Sequence, residues 1–403
     1  VTDLGEFEFK SRAKQTHPKG FEPGIQWDGK TGTITAALAS EPDDAVWAQL
    51  IEDWGLDPRQ TMVVDGSLQI RAWDSNAGNG EVVRMKYYRC TIAPRVGGVE
   101  RADVDLLCSE IMKRKPAKAV EVNGTKRAFL VLLSDWQIGK GCEIRGGTTE
   151  TVERIMRAYE QSAQRLRELI KVGKTPSSIY LIGLGDLVEG CSGDWYANQT
   201  WIADLNDREQ DRVARRLVLA AIDTFVDFGL PIIAAGVPGN HGENRRAGKS
   251  FTDWSDNRDL TAFETVSEII AQNPARYGHV SMPTNLNEDE LSLTLDLEGV
   301  PVSFIHGHQL RSGANSQGKM EGWWKAQALG RTQVSDAELL CSGHFHHFVM
   351  SEGTGRTILQ VPAMDGGSKW FTATSGQSSQ AGMVTLLVGA DTGARGWSDL
   401  LIV

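Results

Sequence analysis

Five times along this chain of 403 residues, a short apolar run of strand length breaks off abruptly into small and polar residues. The runs are AFLVLLSDWQ (128–137), SIYLIGLGDLVEG (178–190), LPIIAAGVPGNH (230–241), VPVSFIHGH (300–308) and AELLCSGHFHH (337–347). Unbroken apolar runs of this length suit strands buried on both faces, not strands with one wet face. Amphipathic stretches lie between them. In ETVERIMRAYEQSAQRLRELIKVG (150–173), Val152, Ile155, Met156, Tyr159, Leu166 and Ile170 share one helical face, and REQDRVARRLVLAAIDTFVDFG (208–229) is a second such stretch. Strand, turn and helix in alternation predict a layered α/β core with its chemistry at the strand ends.

Those strand ends carry Asp135 and Gln137, Asp186, Asn240 and His241, His306 and His308, then His344 and His346. Six of the eight histidines fall in the last three runs, and only His17 and His279 stand apart. A single histidine is more often structural than ligating, but repeated concentration beside Asp, Asn and Gly points to cation binding. Mixed oxygen and imidazole donors suit manganese, iron, zinc or nickel and are too nitrogen-rich for calcium. Two ions are needed to use so many groups. In an extended chain His344 and His346 share a side while His347 points away. Cys90, Cys108, Cys142, Cys191 and Cys341 are far apart, odd in number and without a CxxC pair, so neither a disulfide framework nor a cysteine zinc site is expected.

In chain order, SDWQ, GDLVEG, GNHGE, FIHGH and GHFH resemble the five motifs of calcineurin-like metallophosphoesterases, over about residues 128–375. The fuller texture is similar to bacteriophage-encoded members grouped with DNA repair exonucleases: LGDLVEG, VPGNHGENRR, a Trp pair before GHFHH, and LQVPAMDGGSKWF after it. The resemblance implies an α/β fold, a four-layer β-sandwich flanked by helices. It implies two divalent metal ions, manganese first, with iron, zinc, nickel or magnesium open. One ion takes Asp135, Gln137, Asp186 and His346; the other shares Asp186 as a bridge and takes Asn240, His306 and His344. His241 stands over the substrate to stabilise phosphorane charge or protonate the leaving oxygen. Two cations roughly 3.5–4 Å apart can clamp the attacking and departing oxygens of a phosphoester. The implied activity is phosphodiester hydrolysis, with DNA preferred as substrate and the protein therefore a nuclease. The alternatives are a small-molecule or cyclic nucleotide phosphodiesterase or phosphatase, and a catalytically weak binding protein with a degenerate metal site.

This sequence departs from the family pattern at Gln137, where histidine is usual. A neutral amide is a weaker donor than imidazole, so that position is expected to be looser, to select a harder ion, or to fill only with substrate present. Glu189 stands where many relatives have Asp or Asn and is expected behind the ligands or at the surface. His308 is read either near the substrate phosphate or hydrogen-bonded behind a ligand. Arg245 and Arg246 either clamp phosphate or are solvated. Trp195, Tyr196 and Trp201 either stack a base or cover the core, and of the adjacent pair Trp323 and Trp324 at least one is expected in the core.

The basic, Pro- and Gly-containing stretch at 112–129 suggests a boundary near Lys118, giving an N-terminal α+β domain (1–118) and a catalytic domain (119–403). Within the first, Val46, Trp47, Leu50, Ile51 and Trp54 have helical spacing, and SLQIRAWD and VVRMKYYRCTIAP alternate like paired strands. Arg71, Trp73, Arg84, Lys86, Tyr87, Tyr88 and Arg89 offer a nucleic-acid platform or, more simply, half core and half solvated face. Net charge is −10: residues 1–127 hold 18 basic and 19 acidic groups, and residues 128–403 hold 24 and 33. The acidic excess argues against an extended polyanion-binding surface but not against a small site where bound cations meet phosphate. With no apolar window of membrane-spanning length and no apolar leader core, neither membrane insertion nor secretion is expected, and cytoplasm is the expected location. The expected partner is nucleic acid as substrate; monomer and homodimer are both open.

Overall fold

The structure, a computed structural model, describes residues 21–403 apart from 22, 29–30, 39–40, 59–60, 65–66, 77–81, 95–103, 121–124, 142, 194–198, 247–248, 251, 284–290, 311–314, 370–371 and 374–377. The chain divides into two compact units between Arg101 and Ala102.

The smaller unit contains β1 (Gly24–Trp27), β2 (Gly32–Ala37), α1 (Asp44–Asp53), β3 (Thr61–Val63), β4 (Gln69–Asn76) and β5 (Val82–Pro94). Its sheet runs β1-β2-β5-β3, with β4 also paired to β5. The Asp43 carboxylate caps α1 by accepting from the Val46 N–H at 2.9 Å. Trp47 and Ile51 then pack on Ile34, Tyr88, Cys90 and Ile92. Tyr87 and Tyr88 are buried, whereas Arg71 and Lys86 are exposed. The two tyrosines therefore belong to the core and do not form an open stacking face. The side chains of Trp73 and Arg84 lie outside the described residues.

The larger unit opens with α2 (Val104–Met112), whose Leu107 and Ile111 join its main core. That packing explains why the division falls upstream of the basic stretch and not near Lys118. There follow β6 (Ala128–Leu133), α3 (Thr148–Lys171), β7 (Ser178–Gly183), α4 (Gln199–Ile202), α5 (Asp207–Val226), β8 (Ile232–Gly236), β9 (Arg245–Arg246) and β10 (Lys249–Ser250). Next come α6 (Arg258–Ile270), α7 (Pro274–Tyr277), β11 (Val280–Ser281), β12 (Ser292–Leu297), β13 (Val300–Ile305) and α8 (Ser316–Gly330). The chain ends with β14 (Leu339–Ser342), β15 (Val349–Gly353), β16 (Arg356–Gln360), β17 (Val384–Val388) and β18 (Trp397–Ile402).

One sheet of six strands has the order β11-β8-β7-β6-β17-β18, with β11, β8, β7 and β6 parallel. The other, of five strands, has the order β12-β13-β14-β16-β15, with β13, β14 and β16 parallel. The apolar runs are buried on both faces, as β6 illustrates. Ala128, Leu130 and Leu132 join a core shared with Val302, Phe304, Leu339 and Cys341 of the second sheet. Phe129, Val131 and Leu133 face the opposite way, toward Ile155, Tyr159 and Leu166 of α3 and Leu217 and Phe225 of α5. On the outer face of the second sheet, Met320 and Trp324 of α8 pack with Ile305, Leu340 and Ile358. Trp324 donates from Nε1 to the Val334 carbonyl at 2.8 Å, and Trp323 is only partly buried. Met156 turns outward from α3, so its buried face is narrower than the apolar pattern suggests. Among the described residues, no helix is long and apolar enough to cross a membrane.

Candidate metal centre

Every strand-end group picked out by the sequence lies shortly after a parallel strand: Asp135 and Gln137 after β6, Asp186 after β7, Asn240 and His241 after β8, His306 and His308 after β13, and His344 and His346 after β14. Parallel strands put these ends on one edge of each sheet, and side-chain contacts show the two edges meeting. The Asp186 Oδ2 lies 3.0 Å from His306 Nε2, and Asp135 Oδ1 lies 3.1 Å from His346 Nε2. The loops turn sharply. Of the nine non-glycine residues with left-handed φ among those described, five are Asp135, Gln137, Asp186, His344 and His346. Such conformations cost of order 1–3 kcal/mol each and gather where geometry matters more than stability. They also correct the sequence reading of the last motif. His344 (φ 70°) and His346 (φ 59°) face the site through two left-handed turns and not through an extended strand, while His347 is exposed.

Two glycines allow the loops to close. A Cβ at Gly239 would sit 2.2 Å from both the backbone nitrogen and Oδ1 of Asp186, and one at Gly343 would sit 2.3 Å from Ser134 Oγ and 2.6 Å from Asp135 Oδ2. Beneath them, the buried carboxylate of Asp259 accepts from the backbone N–H groups of Asp186, Leu187 and Gly239 at 2.8–2.9 Å, fastening the β7 and β8 loops together. Burial, and then the neighbouring Asp186 charge, raise its carboxyl to about 6.

At the centre, His306 donates from Nδ1 to the Leu184 carbonyl at 2.7 Å, which turns Nε2 into the site. There Nε2 meets Asp186 Oδ2 at 3.0 Å, Asn240 Oδ1 at 3.0 Å and His344 Nδ1 at 3.2 Å. Four atoms with lone pairs thus converge, and only a proton or a cation satisfies them together. Donors bound at about 2.0–2.1 Å to one ion are spaced roughly 3.0–3.4 Å apart, as the other three atoms are from His306 Nε2, and the Asp186, His306 and His344 donors lie within 4.8 Å of one another, close enough to hold a divalent ion. In its absence a proton serves: burial would lower the His306 pKa, but Asp186 outweighs this and raises it to about 9. His344 goes the other way, to about 4, through burial and the His306 charge.

The second cluster is looser. His346 Nε2 faces Asp135, whose carboxylate also accepts the His344 N–H at 3.0 Å and the Ser134 hydroxyl at 2.5 Å. Burial opposes ionisation of Asp135, but His346 keeps its pKa below the usual carboxylate value. Gln137 lies at the edge, with Oε1 accepting from Lys140 Nζ at 2.7 Å and Nε2 3.4 Å from His241 Nε2. The Lys140 ammonium is also 2.5 Å from Asp365 Oδ2.

His241 is oriented from behind. Its Nδ1 donates to the Glu189 backbone carbonyl at 2.8 Å, with the Glu189 carboxylate at 3.4 Å, and Nε2 turns toward Gln137 and Asp186. Glu189 is therefore buried behind the histidine and not at the surface; burial above all raises its pKa. Gln199 of α4 donates to the same carbonyl at 3.0 Å. His308 lies with Nε2 3.4 Å from Glu243 Oε1, and Arg245 donates from Nε to Glu243 Oε2 at 2.7 Å. Burial and the nearby His306 lower the His308 pKa to about 3. Arg246 contributes only its backbone to the description, and Trp195 and Tyr196 lie outside the described residues. Trp201 is 87% exposed, so it does not cover the core.

Sequence reasoning missed Lys140, Asp365 and Asp259. Asp365 follows strand β16 as the chosen ligands follow theirs, and that was the available signal. For Asp259, near the start of a helix, the sequence offers none.

No protein-family profile matches this chain, and no curated protein does. Solved structures that align with it include a conserved uncharacterized protein from Streptococcus pneumoniae described as a predicted phosphoesterase, at 11% identity over 70% of this chain and 100% of that one, TM-score 0.27. Vps29 from Entamoeba histolytica complexed with zinc aligns at 10% identity over 68% and 98%, TM-score 0.30. A novel archaeal phosphodiesterase aligns at 12% identity over 68% and 99%, TM-score 0.31. Similarity at this level carries no argument for fold or function, which rest on the geometry above.

Proposed function

We propose that this chain is a metal-dependent phosphoesterase of the calcineurin-like kind, with the four-layer sandwich of that family in its larger unit, and that it cleaves phosphodiester bonds of nucleic acid. The observation that carries the reading is the convergence of Asp186 Oδ2, Asn240 Oδ1 and His344 Nδ1 on His306 Nε2, with His241 Nε2 only 3.9 Å from Asp186 Oδ2. Asp186, Asn240, His306 and His344 hold one ion; Asp135, Asp186 and His346 hold a second, with Gln137 beside them. Bound divalent ions supply phosphate-charge neutralisation and a water acidified toward neutral pH.

The chain's own residues do the rest. The Glu189 carbonyl and carboxylate fix the His241 ring, so that a proton held at Nε2 faces the departing oxygen. Asp259 fixes the spacing of the two loops that carry Asp186 and Asn240. Arg245, held by Glu243, places a positive charge near His308 for a second phosphate. Trp201, two residues beyond Gln199, which touches the carbonyl behind His241, offers an exposed indole for an unpaired base.

A small nucleotide diester is the second reading, favoured by the net charge of −9 over residues 128–403 (24 basic, 33 acidic). Manganese-loaded protein is to be assayed on labelled single- and double-stranded DNA beside cyclic dinucleotides and aryl phosphodiesters. Cleavage of DNA supports the proposal, and rapid turnover of the small diesters alone replaces it with the second reading.

A further inference from the structure

The turn after β6 brings a largely covered lysine onto the proposed metal centre. The Lys140 N–H donates to the Gln137 carbonyl at 3.0 Å, folding the chain back so that the Lys140 ammonium reaches Gln137 Oε1 at 2.7 Å. The same ammonium lies 2.5 Å from Asp365 Oδ2, and its side chain is 11% exposed against 1% for Asp365. Asp365 is itself anchored: Oδ1 accepts the Gly367 N–H at 3.1 Å and lies 3.8 Å from Arg145 Nη2, and Oδ2 lies 3.7 Å from His346 Nδ1. The amide oxygen that Gln137 would offer a metal is therefore already held by a cation, and that cation is fixed by a carboxylate facing the back of His346. In the other cluster, by contrast, His306 Nε2 meets three lone-pair atoms within 3.2 Å.

We propose that Lys140, locked by Asp365 onto Gln137 Oε1, makes the two metal positions unequal, so that one ion resides at Asp186, Asn240, His306 and His344 while the ion at Asp135, Asp186 and His346 is held more weakly and is tightened by phosphate. This rests on the site's binding divalent metal, as proposed above. A fixed ammonium beside the second position repels a divalent ion and occupies a lone pair that would otherwise coordinate it. Partners that orient or compete for ligands typically change metal affinity by about 10–100-fold, which is the separation expected between the two positions.

The test is a titration of the metal-free full chain with Mn(II), following free ion by its electron paramagnetic resonance signal. Wild type is expected to bind one ion per chain tightly and a second at least about tenfold more weakly, with inorganic phosphate tightening the second step. The double variant Lys140→Met/Asp365→Asn removes both charges, so neither is left buried alone, and is expected to bind the second ion about tenfold more tightly. Lys140→Gln, which keeps a donor to Gln137 without the charge, is expected to shift the second step the same way, and circular dichroism establishes that each variant is folded. Two equal sites in wild type, or an unchanged separation in a folded variant, overturns the role of Lys140 while leaving the metal reading intact. No Mn(II) binding at all overturns both.

Discussion

Gly239→Ala is the most demanding single-atom test of how the proposed metal centre is built. Gly239 does not adopt a left-handed φ, so alanine can take its backbone conformation and the cost arises from contact alone. The added Cβ would lie 2.2 Å from the backbone nitrogen and Oδ1 of Asp186, and 2.9 Å from Asp259 Oδ2. Restoring an ordinary separation requires the β7 and β8 loops to part by about 1 Å, because one neighbour is backbone and both carboxylates are held by backbone N–H groups. Overpacking of this kind costs about 1–3 kcal/mol, and functional groups need to stay within about 0.5 Å of their working geometry. Gly239→Ala is therefore expected to lose about 2 kcal/mol in urea unfolding of the larger unit, and at least about 100-fold in the rate of diester cleavage. The control is Gly322→Ala in α8, where a Cβ meets nothing within 4 Å; there the same change should stabilise by about 0.5–1 kcal/mol through helix propensity. A folded Gly239→Ala with wild-type metal affinity and cleavage rate would refute the claim that close contact between these loops sets the ligand spacing.

His241→Ala should cut kcat by about two orders of magnitude and leave Mn(II) stoichiometry unchanged, because the ring lies beside the donor array without joining it; loss of metal on substitution would instead make it a ligand. Trp201→Ala should raise KM for single-stranded oligonucleotides about tenfold, with an aryl phosphodiester unaffected; equal effects on both substrates would exclude base stacking. Metal affinity should climb with pH. In the metal-free protein burial would lower the His306 pKa, but Asp186 raises it to about 9, so the ring carries a proton that an entering ion must displace. Calorimetry in buffers of different ionisation enthalpy should show proton release, with affinity rising about tenfold per pH unit from 6 to 8 and levelling above 9. A pH-independent affinity over that range would remove His306 from the ligand set.

Much of the larger unit was legible because its strands are buried on both faces and their ends carry chemistry that the core cannot use. The runs at 128–133, 178–183 and 300–305 are strands β6, β7 and β13, and the polar groups that terminate them meet in space. Less legible was anything that depends on contacts distant in sequence. Lys140 meets Asp365 across 225 positions and Asp259 reaches Asp186 across 73; the place of Asp365 after β16 hints at a role but not at its partner, and nothing local announces Asp259. Local conformation was also misread where the site strains it, as at His344 and His346, whose left-handed turns replace an extended segment. In the smaller unit, alternation in VVRMKYYRC identified the strand but not that Tyr87 and Tyr88 are both buried.

Metal-dependent phosphodiester hydrolysis is tested by cleavage of labelled DNA with metal-loaded protein, comparing wild type with Asp186→Asn. Asp186 is the one carboxylate shared by both proposed ion positions, 3.0 Å from His306 Nε2 and buried to 1% exposure. Wild type is expected to cleave in the presence of manganese and the folded variant to lose at least about 100-fold, with Mn(II) binding reduced in parallel. Intact DNA after prolonged incubation with metal-loaded wild type, or undiminished cleavage by Asp186→Asn, would contradict that expectation.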